Sequence, residues 1–275
     1  MKRFNRLLIL AIIFAVFYYF WHDDQIVQQG TRQETPPSTQ VQPPPTGAPA
    51  PPKPAPTVTV TDRMLPPWPQ AEAGDAAVVL DDMLTRKNFV LVLDGSGSMA
   101  RQGCSGNRSK HEVAREAVID WATQVPENAG LGLVVFDRNG FSTRLPLGIA
   151  NRDQFKQEVE KVVPDNKTPL TMALDTAYRM LTEQAKRQLG YGDYTVVIVT
   201  DGAADDINSL AQSVNMVLTQ SPVMIHTIGF CIEADHSLNS AGRTTYVAAN
   251  NPAELRKGLQ EVLAEAENFD IDGFK

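Results

Sequence analysis

The chain is poor in the residues that build soft-metal and redox sites. Among 275 residues there are two cysteines, Cys104 and Cys231, and four histidines, His22, His111, His226 and His236. None of them falls at metal-ligand spacing. No CxxC pair or Cys/His cluster occurs, which excludes a structural zinc site. An excess of basic charge is also missing. Lys and Arg number 25 against 32 Asp and Glu, a net charge of −7. A nucleic-acid surface would need a basic patch, so that class of partner is excluded. There is no glycine-rich loop ending in GK[ST] to cradle phosphates, no G-x-S-x-G elbow and no internal repeat. What remains is a chain of ordinary globular composition, 43% hydrophobic and 21% charged, with two unusual segments at its start.

The first segment is residues 1–22, MKRFNRLLILAIIFAVFYYFWH. Lys2, Arg3 and Arg6 precede an unbroken apolar run from Leu7 to Trp21. Basic residues before an apolar run are the pattern of a secretory signal or a signal anchor. As a helix, residues 7–21 would measure about 22 Å, short of a bilayer core of about 30 Å. That shortness suits a cleaved signal. Against cleavage, no small-x-small site follows, and the run ends in Phe17-Tyr18-Tyr19-Phe20-Trp21. Those rings suit the membrane–water interface. The reading is a single-pass anchor with its N-terminus in the cytoplasm and the rest of the chain periplasmic or extracellular. The second segment, residues 23–86, holds thirteen of the nineteen prolines, between Pro36 and Pro69. It cannot bury enough apolar surface to fold. In polyproline II its proline-rich core would span on the order of 100 Å. It reads either as a semi-rigid spacer or as a disordered tether.

From residue 87 to 275, strand and helix signals alternate. NFVLVLD (88–94), GLGLVVFD (130–137), YTVVIVTDG (194–202) and PVMIHTIGFC (222–231) read as buried strands. FSTRLPLG (141–148) is a strand near a sheet edge, since Pro146 cannot donate to a ladder, and TTYVAAN (244–250) is a weaker one. Helices are expected over 109–125, 152–163, 170–188 and 207–220, with a last one opened by Asn251-Pro252-Ala253-Glu254. Strands alternating with long helices predict an α/β fold: a doubly wound, mostly parallel sheet flanked by helices.

Ligands of such sheets bind beyond the carboxyl ends of the strands. The side chains expected there are Asp94, Ser96 and Ser98 after the first strand, Asp201 in VTDG, and Thr168 in NKTPL if that loop crosses the sheet top. These are hard oxygen donors without sulfur or imidazole. They suit Mg²⁺, Mn²⁺ or Ca²⁺ rather than zinc or copper. The x-spacing of D-x-S-x-S lets alternate side chains of a tight loop point at one centre, and Gly95 and Gly97 permit the bend. Few carboxylates and several neutral hydroxyls would leave a bound cation electrophilic. Asp137 is a candidate outer-sphere group. Asp205 and Asp206 fit helix capping better than ligation.

LDGSGSM, NKTPL and IVTDG, in this order and on these elements, resemble the von Willebrand factor type A domain. The resemblance covers about residues 87–268. It implies that Asp94, Ser96, Ser98, Thr168 and Asp201 form a metal-ion-dependent adhesion site. The serines would bind the ion directly, Thr168 directly or through water, and the aspartates largely through water. An Asp or Glu of a protein partner would complete the shell. Lys167 departs from the family, which often has glycine before the threonine. Cys104 and Cys231 are both expected at this sheet edge. An oxidising compartment would pair them into a disulfide bracing the loop beside the ion; the alternative is a half-buried Cys231 and an exposed Cys104 as free thiols.

The sequence therefore points to a non-enzymatic, metal-dependent protein-binding module on a membrane stalk. A scaffold of an envelope complex, with the ion as a staple, is the rival. A metal-dependent phosphoester hydrolase ranks below both. Neither Ser96 nor Ser98 has a histidine in view. The second Asp expected two residues after the first in dehalogenase-type phosphatases is here Ser96.

Overall fold

The computed structural model describes residues 68–70, 78–232, 236, 238–239 and 244–267. The expected membrane segment and most of the proline-rich stretch lie outside the described residues. Among those described, no helix is long and apolar enough to cross a membrane.

Six strands form one sheet: β1 (Lys87–Asp94), β2 (Gly130–Asp137), β3 (Gly140–Gly148), β4 (Asp193–Thr200), β5 (Met224–Phe230) and β6 (Thr245–Ala249). Their spatial order is β3-β2-β1-β4-β5-β6. All neighbours pair in parallel except β2 with β3. The strand with Pro146 is thus an antiparallel edge, and its ladder shifts register beside Leu133. Five helices cover the faces: α1 (Lys110–Gln124), α2 (Arg152–Glu160), α3 (Leu170–Arg187), α4 (Ile207–Gln220) and α5 (Pro252–Glu267).

The pleat of β1 shows why its run of apolar residues is continuous. Phe89, Leu91 and Leu93 point into a core shared with Val113, Trp121, Phe155 and Leu259. Val90 and Val92 point into the opposite core with Leu174, Leu181, Leu210 and Val214. A strand covered on both sides needs an apolar residue at every position. Each such side chain contributes about 1.5–3 kcal/mol on burial. Phe89 packs edge-on against Trp121, centroids 6.1 Å apart.

The expected helix over 152–163 is shorter, ending at Glu160. Pro164 forces Val163 out of the helical region, and the Val163 N–H donates instead to Asp137 Oδ2 at 3.1 Å. At α5 the expected cap is present. Asn251 Oδ1 accepts from the N–H groups of Ala253 and Glu254, both at 3.0 Å.

Composition assigned everything up to residue 86 to the linker, and here the structure corrects it. Trp68, Asp81 and Arg86 are tied to the end of the sheet where β1 and β4 begin. Trp68 lies edge-on to Tyr194, centroids 4.9 Å apart, and its Nε1 donates to the Tyr178 hydroxyl at 3.1 Å. Arg86 donates to Asp81 at 2.7 Å and to the Asn128 carbonyl at 2.6 Å. Gln184 donates to the other Asp81 oxygen at 2.7 Å. A proline-rich composition says nothing against one ring and one ion pair finding buried partners.

Candidate metal centre

At the C-terminal end of β1 the chain turns sharply. Gly95 has no room for a side chain, since an added Cβ would lie 2.8 Å from the Phe136 carbonyl oxygen and 2.9 Å from Asp137 Cβ. Its N–H donates to that carbonyl at 2.9 Å, and its own carbonyl accepts from Asp165 N–H at 2.9 Å. A one-turn 3₁₀ helix, Gly97–Ala100, follows. Met99 plugs the core beneath it. The turn is thereby fixed, and it holds Asp94, Ser96 and Ser98 at one place.

Three of the five expected donors share a chain of hydrogen bonds. Ser96 Oγ and Ser98 Oγ lie 3.0 Å apart. Ser98 Oγ donates to Asp201 Oδ1 at 2.6 Å. Asp94 is fully buried and accepts from Ser96 N–H at 2.8 Å and from Thr200 Oγ at 2.5 Å. Burial pushes the Asp94 carboxyl up to about 6, although the bonds from Thr200 and Ser96 favour its charged form; the charge of nearby Asp201 raises it further. Among the described residues Asp94 has no cationic partner.

Thr168 arrives by a different route. The Gly97 N–H donates to the Asn166 carbonyl at 3.1 Å, which ties the Thr168 loop to the β1 turn. Thr168 N–H donates to Asp205 Oδ1 at 3.2 Å, and Asp205 N–H donates back to the Thr168 carbonyl at 3.1 Å. Asp205 is therefore a clamp on the Thr168 backbone rather than a cap. Asp206 does cap α4, accepting from Ser209 N–H at 3.0 Å. Among the described residues the Thr168 hydroxyl makes no hydrogen bond.

Asp137, expected as an outer-sphere group, is otherwise employed. It is buried, and its oxygens accept from Arg144 at 2.7 Å, Asn139 N–H at 2.8 Å and Val163 N–H at 3.1 Å. Its role is to hold the loop that leads to Thr168.

Two residues of the centre carry no ligand signal in the sequence. Thr200 lies inside an expected strand, yet its hydroxyl is the side-chain donor to Asp94. Lys110 lies in an expected helix, yet its Nζ lies 2.5 Å from Asp201 Oδ2. The signal for Thr200 was its place before Asp201 in VTDG. For Lys110 only the topology supplies one, because α1 starts at the same sheet edge.

Cys104 and Cys231 form a disulfide. It fastens the loop between the 3₁₀ turn and α1 to the end of β5. The free-thiol alternative is thus set aside. His236 closes the far side, its Nε2 2.9 Å from the Gly202 carbonyl oxygen and its ring stacked on Tyr246.

The donor set fits a hard divalent cation. Among the described residues no three carboxylate, imidazole or thiolate groups cluster; an ion here would be held by two carboxylates and neutral hydroxyls. The fully buried Asp94, offset only by neutral donors, is the feature such an ion would relieve.

A comparison with curated protein sequences finds no match to this chain. Among solved structures, the chain is similar to a von Willebrand factor type A protein from Catenulispora acidiphila (19% identity, 66% of this chain and 43% of that one, TM-score 0.55). It is also similar to the pilus adhesin SpaC from Lactobacillus rhamnosus GG (13%, 68% and 31%, TM-score 0.53). A third is the D319A mutant of the PilB minor pilin from Streptococcus sanguinis (14%, 68% and 62%, TM-score 0.55). The chain spans less than two thirds of each of these proteins, and at such identities the likeness is one of fold. Residues 89–203, which run from β1 through Asp201, match the family model for the von Willebrand factor type A domain. The sheet order and the flanking helices agree with that match, which spans 115 of the 275 residues.

Proposed function

We propose that this chain is a membrane-anchored protein-binding module that works through a divalent cation. Asp94, Ser96, Ser98, Thr168 and Asp201 would hold Mg²⁺, or Mn²⁺ or Ca²⁺ in its place. The bound ion would supply a Lewis-acidic position for a carboxylate of a protein partner. The single observation that carries the reading is Asp94: a carboxylate with no exposed surface, held by Ser96 and Thr200, and without a cationic partner among the described residues. Burying a charge is costly unless it is paired. The chain's own residues supply the rest. Thr200 and the Ser96 N–H fix the Asp94 carboxylate. Ser98 and Asp201 are fixed against each other, and Asp205 holds the Thr168 backbone at the same edge.

The anchor at residues 7–21 and the proline-rich stretch support a placement outside the cytoplasm, as does a disulfide, which persists in oxidising compartments. A pilus adhesin and a minor pilin among the similar folds are compatible with a surface role. Ser96 and Ser98 are bonded to each other and Ser98 to a carboxylate, rather than to an imidazole base, so neither is set up as a nucleophile.

A second reading follows from the ties between loops, Gly97 to Asn166 and Thr168 to Asp205. In that reading the chain is a scaffold and the ion a staple between segments. Affinity capture from solubilised membranes on the immobilised chain, with Mg²⁺ against EDTA, separates the two. Metal-dependent binding gives partners that are lost in EDTA and in an Asp94→Ala variant that remains folded. Equal capture in both buffers would refute it, and a melting temperature lowered by EDTA with capture intact would indicate the staple.

A further inference from the structure

Lys110 is in an unusual place for a lysine. It is the first residue of α1, where the helix dipole disfavours a cation. Its position is nonetheless fixed by several contacts. Ser109 and Glu112 form a reciprocal cap, with Glu112 N–H on Ser109 Oγ at 3.2 Å and Ser109 N–H on Glu112 Oε2 at 2.8 Å. The Lys110 N–H donates to the Arg101 carbonyl at 2.9 Å. Gly103 lies along the stem: an added Cβ there would be 3.3 Å from Lys110 Cε and 3.6 Å from Cys231 Sγ. The disulfide-bound loop thus walls the side chain and aims Nζ at Asp201 Oδ2, 2.5 Å away. The lysine side chain is 12% exposed and that of Asp201 has no exposed surface. An ion pair this enclosed is weakly screened by solvent.

From this geometry we infer that Lys110 is a resident counter-cation of the centre: it weakens the hold on a divalent ion and keeps the filled centre positively charged for an anionic partner. The inference rests on the metal-binding reading above. Its logic is charge. The five donors include two carboxylates, Asp94 and Asp201, and the Lys110 ammonium offsets one of them. A divalent ion added to a centre of net charge −1 leaves it at +1. Without the lysine the filled centre would be neutral, with less attraction for a carboxylate. Lys110 and the ion also compete for Asp201, because an oxygen donating its electrons to one is less available to the other. Lys167 lies on the exposed part of the neighbouring loop and, among the described residues, makes no such bond to a donor. The cation that tunes the centre comes instead from a helix whose first residue is 91 positions before Asp201.

The test uses the full-length chain in detergent, titrated with Mn²⁺ at pH 7.5, with unbound Mn²⁺ measured by electron paramagnetic resonance. Lys110→Met should bind Mn²⁺ at least tenfold more tightly than wild type, and Lys110→Arg should stay close to wild type. If Lys110→Met does not fold, judged by circular dichroism, Lys110→Gln carries the test, since it retains a donor for Asp201 while removing the charge. Wild type that binds only at millimolar Mn²⁺, beside a neutral variant that binds at micromolar, would be the clearest support. If wild type binds and the neutral variants bind no more tightly, Lys110 is a structural tie and the inference falls while the metal reading stands. If neither wild type nor the neutral variants take up Mn²⁺, the metal reading falls and the inference falls with it.

Discussion

Reducing the Cys104–Cys231 bridge, or replacing both cysteines by serine, removes a link between points 127 residues apart in the chain. In the chain-entropy treatment, closing a loop of that length costs the unfolded state about 16 cal/mol/K, or about 5 kcal/mol at 25 °C. That is a ceiling, because residual structure in the unfolded chain reduces it, and measured losses are typically about 2–4 kcal/mol. For a domain of this size each kcal/mol moves the melting temperature by about 2–4 °C. The oxidised chain should therefore melt roughly 5–15 °C above both the reduced chain and the double serine variant. Differential scanning fluorimetry of the oxidised chain, with and without a phosphine reductant, reads this directly. The double serine variant should not respond to reductant. Melting temperatures within 1 °C in all cases would refute the reasoning and leave the bridge without a stabilising role. The loop it fastens also walls Lys110, so a bridge that does not stabilise would remove one support from the placement of that side chain.

Three further outcomes are expected. Saturating Mg²⁺ at about a hundred times its dissociation constant should stabilise the fold by about 2.7 kcal/mol; thermal shift should show this for wild type and lose it in Asp94→Ala, and a shift that survives in the variant would place the ion elsewhere. Thr200→Val removes the hydroxyl donor to buried Asp94, and should cost about 1–3 kcal/mol in urea unfolding at pH 7, with a cost that shrinks toward pH 5 as Asp94, raised to about 6, takes up a proton. At the other end of the sheet, burial pulls Asp81 upward, but bonds from Arg86, the Met83 N–H and Gln184 hold it down to about 2. A depressed carboxyl stabilises above its unfolded value near 4, and that stability drains as pH falls toward 2, so Asp81→Asn should lose about 1–2 kcal/mol at neutral pH and show a flatter acid limb.

Elements with strong local patterns were readable from the residues alone. β1, β2 and β4 are apolar at nearly every position because both faces are covered. The edge position of β3 followed from Pro146. Boundaries moved where a single residue overrode periodicity: Pro164 ended α2 early through Val163, and β5 begins at Met224, two residues after Pro222. The site divides in the same way. Asp94, Ser96 and Ser98 share one turn, so their spacing announces them. Asp201 and Thr168 are expected beside them because the topology rule sends strand ends and their loops to one edge. Thr200 and Lys110 carry no such signal, since each has an ordinary local role, one in a strand and one in a helix. Only the packed fold turns the hydroxyl of one and the ammonium of the other toward a carboxylate. Asp137 shows the reverse: its place at a strand end resembled that of Asp94, but Arg144, from the antiparallel edge strand, had already claimed it.

β1 runs from Lys87, beside the Arg86–Asp81 pair, to Asp94, beside the candidate centre. It is central, with β2 along one side and β4 along the other, seven residue pairs in register on each. A load applied at the centre and resisted through the chain that precedes residue 87 would pass lengthwise along this one strand. The ladders on both sides would then be sheared together, not peeled one bond at a time. Under such a load the strand that leads into the turn of the first three candidate ligands would be the tension member of the domain, and a tether leading into it would deliver force where the sheet resists rupture best.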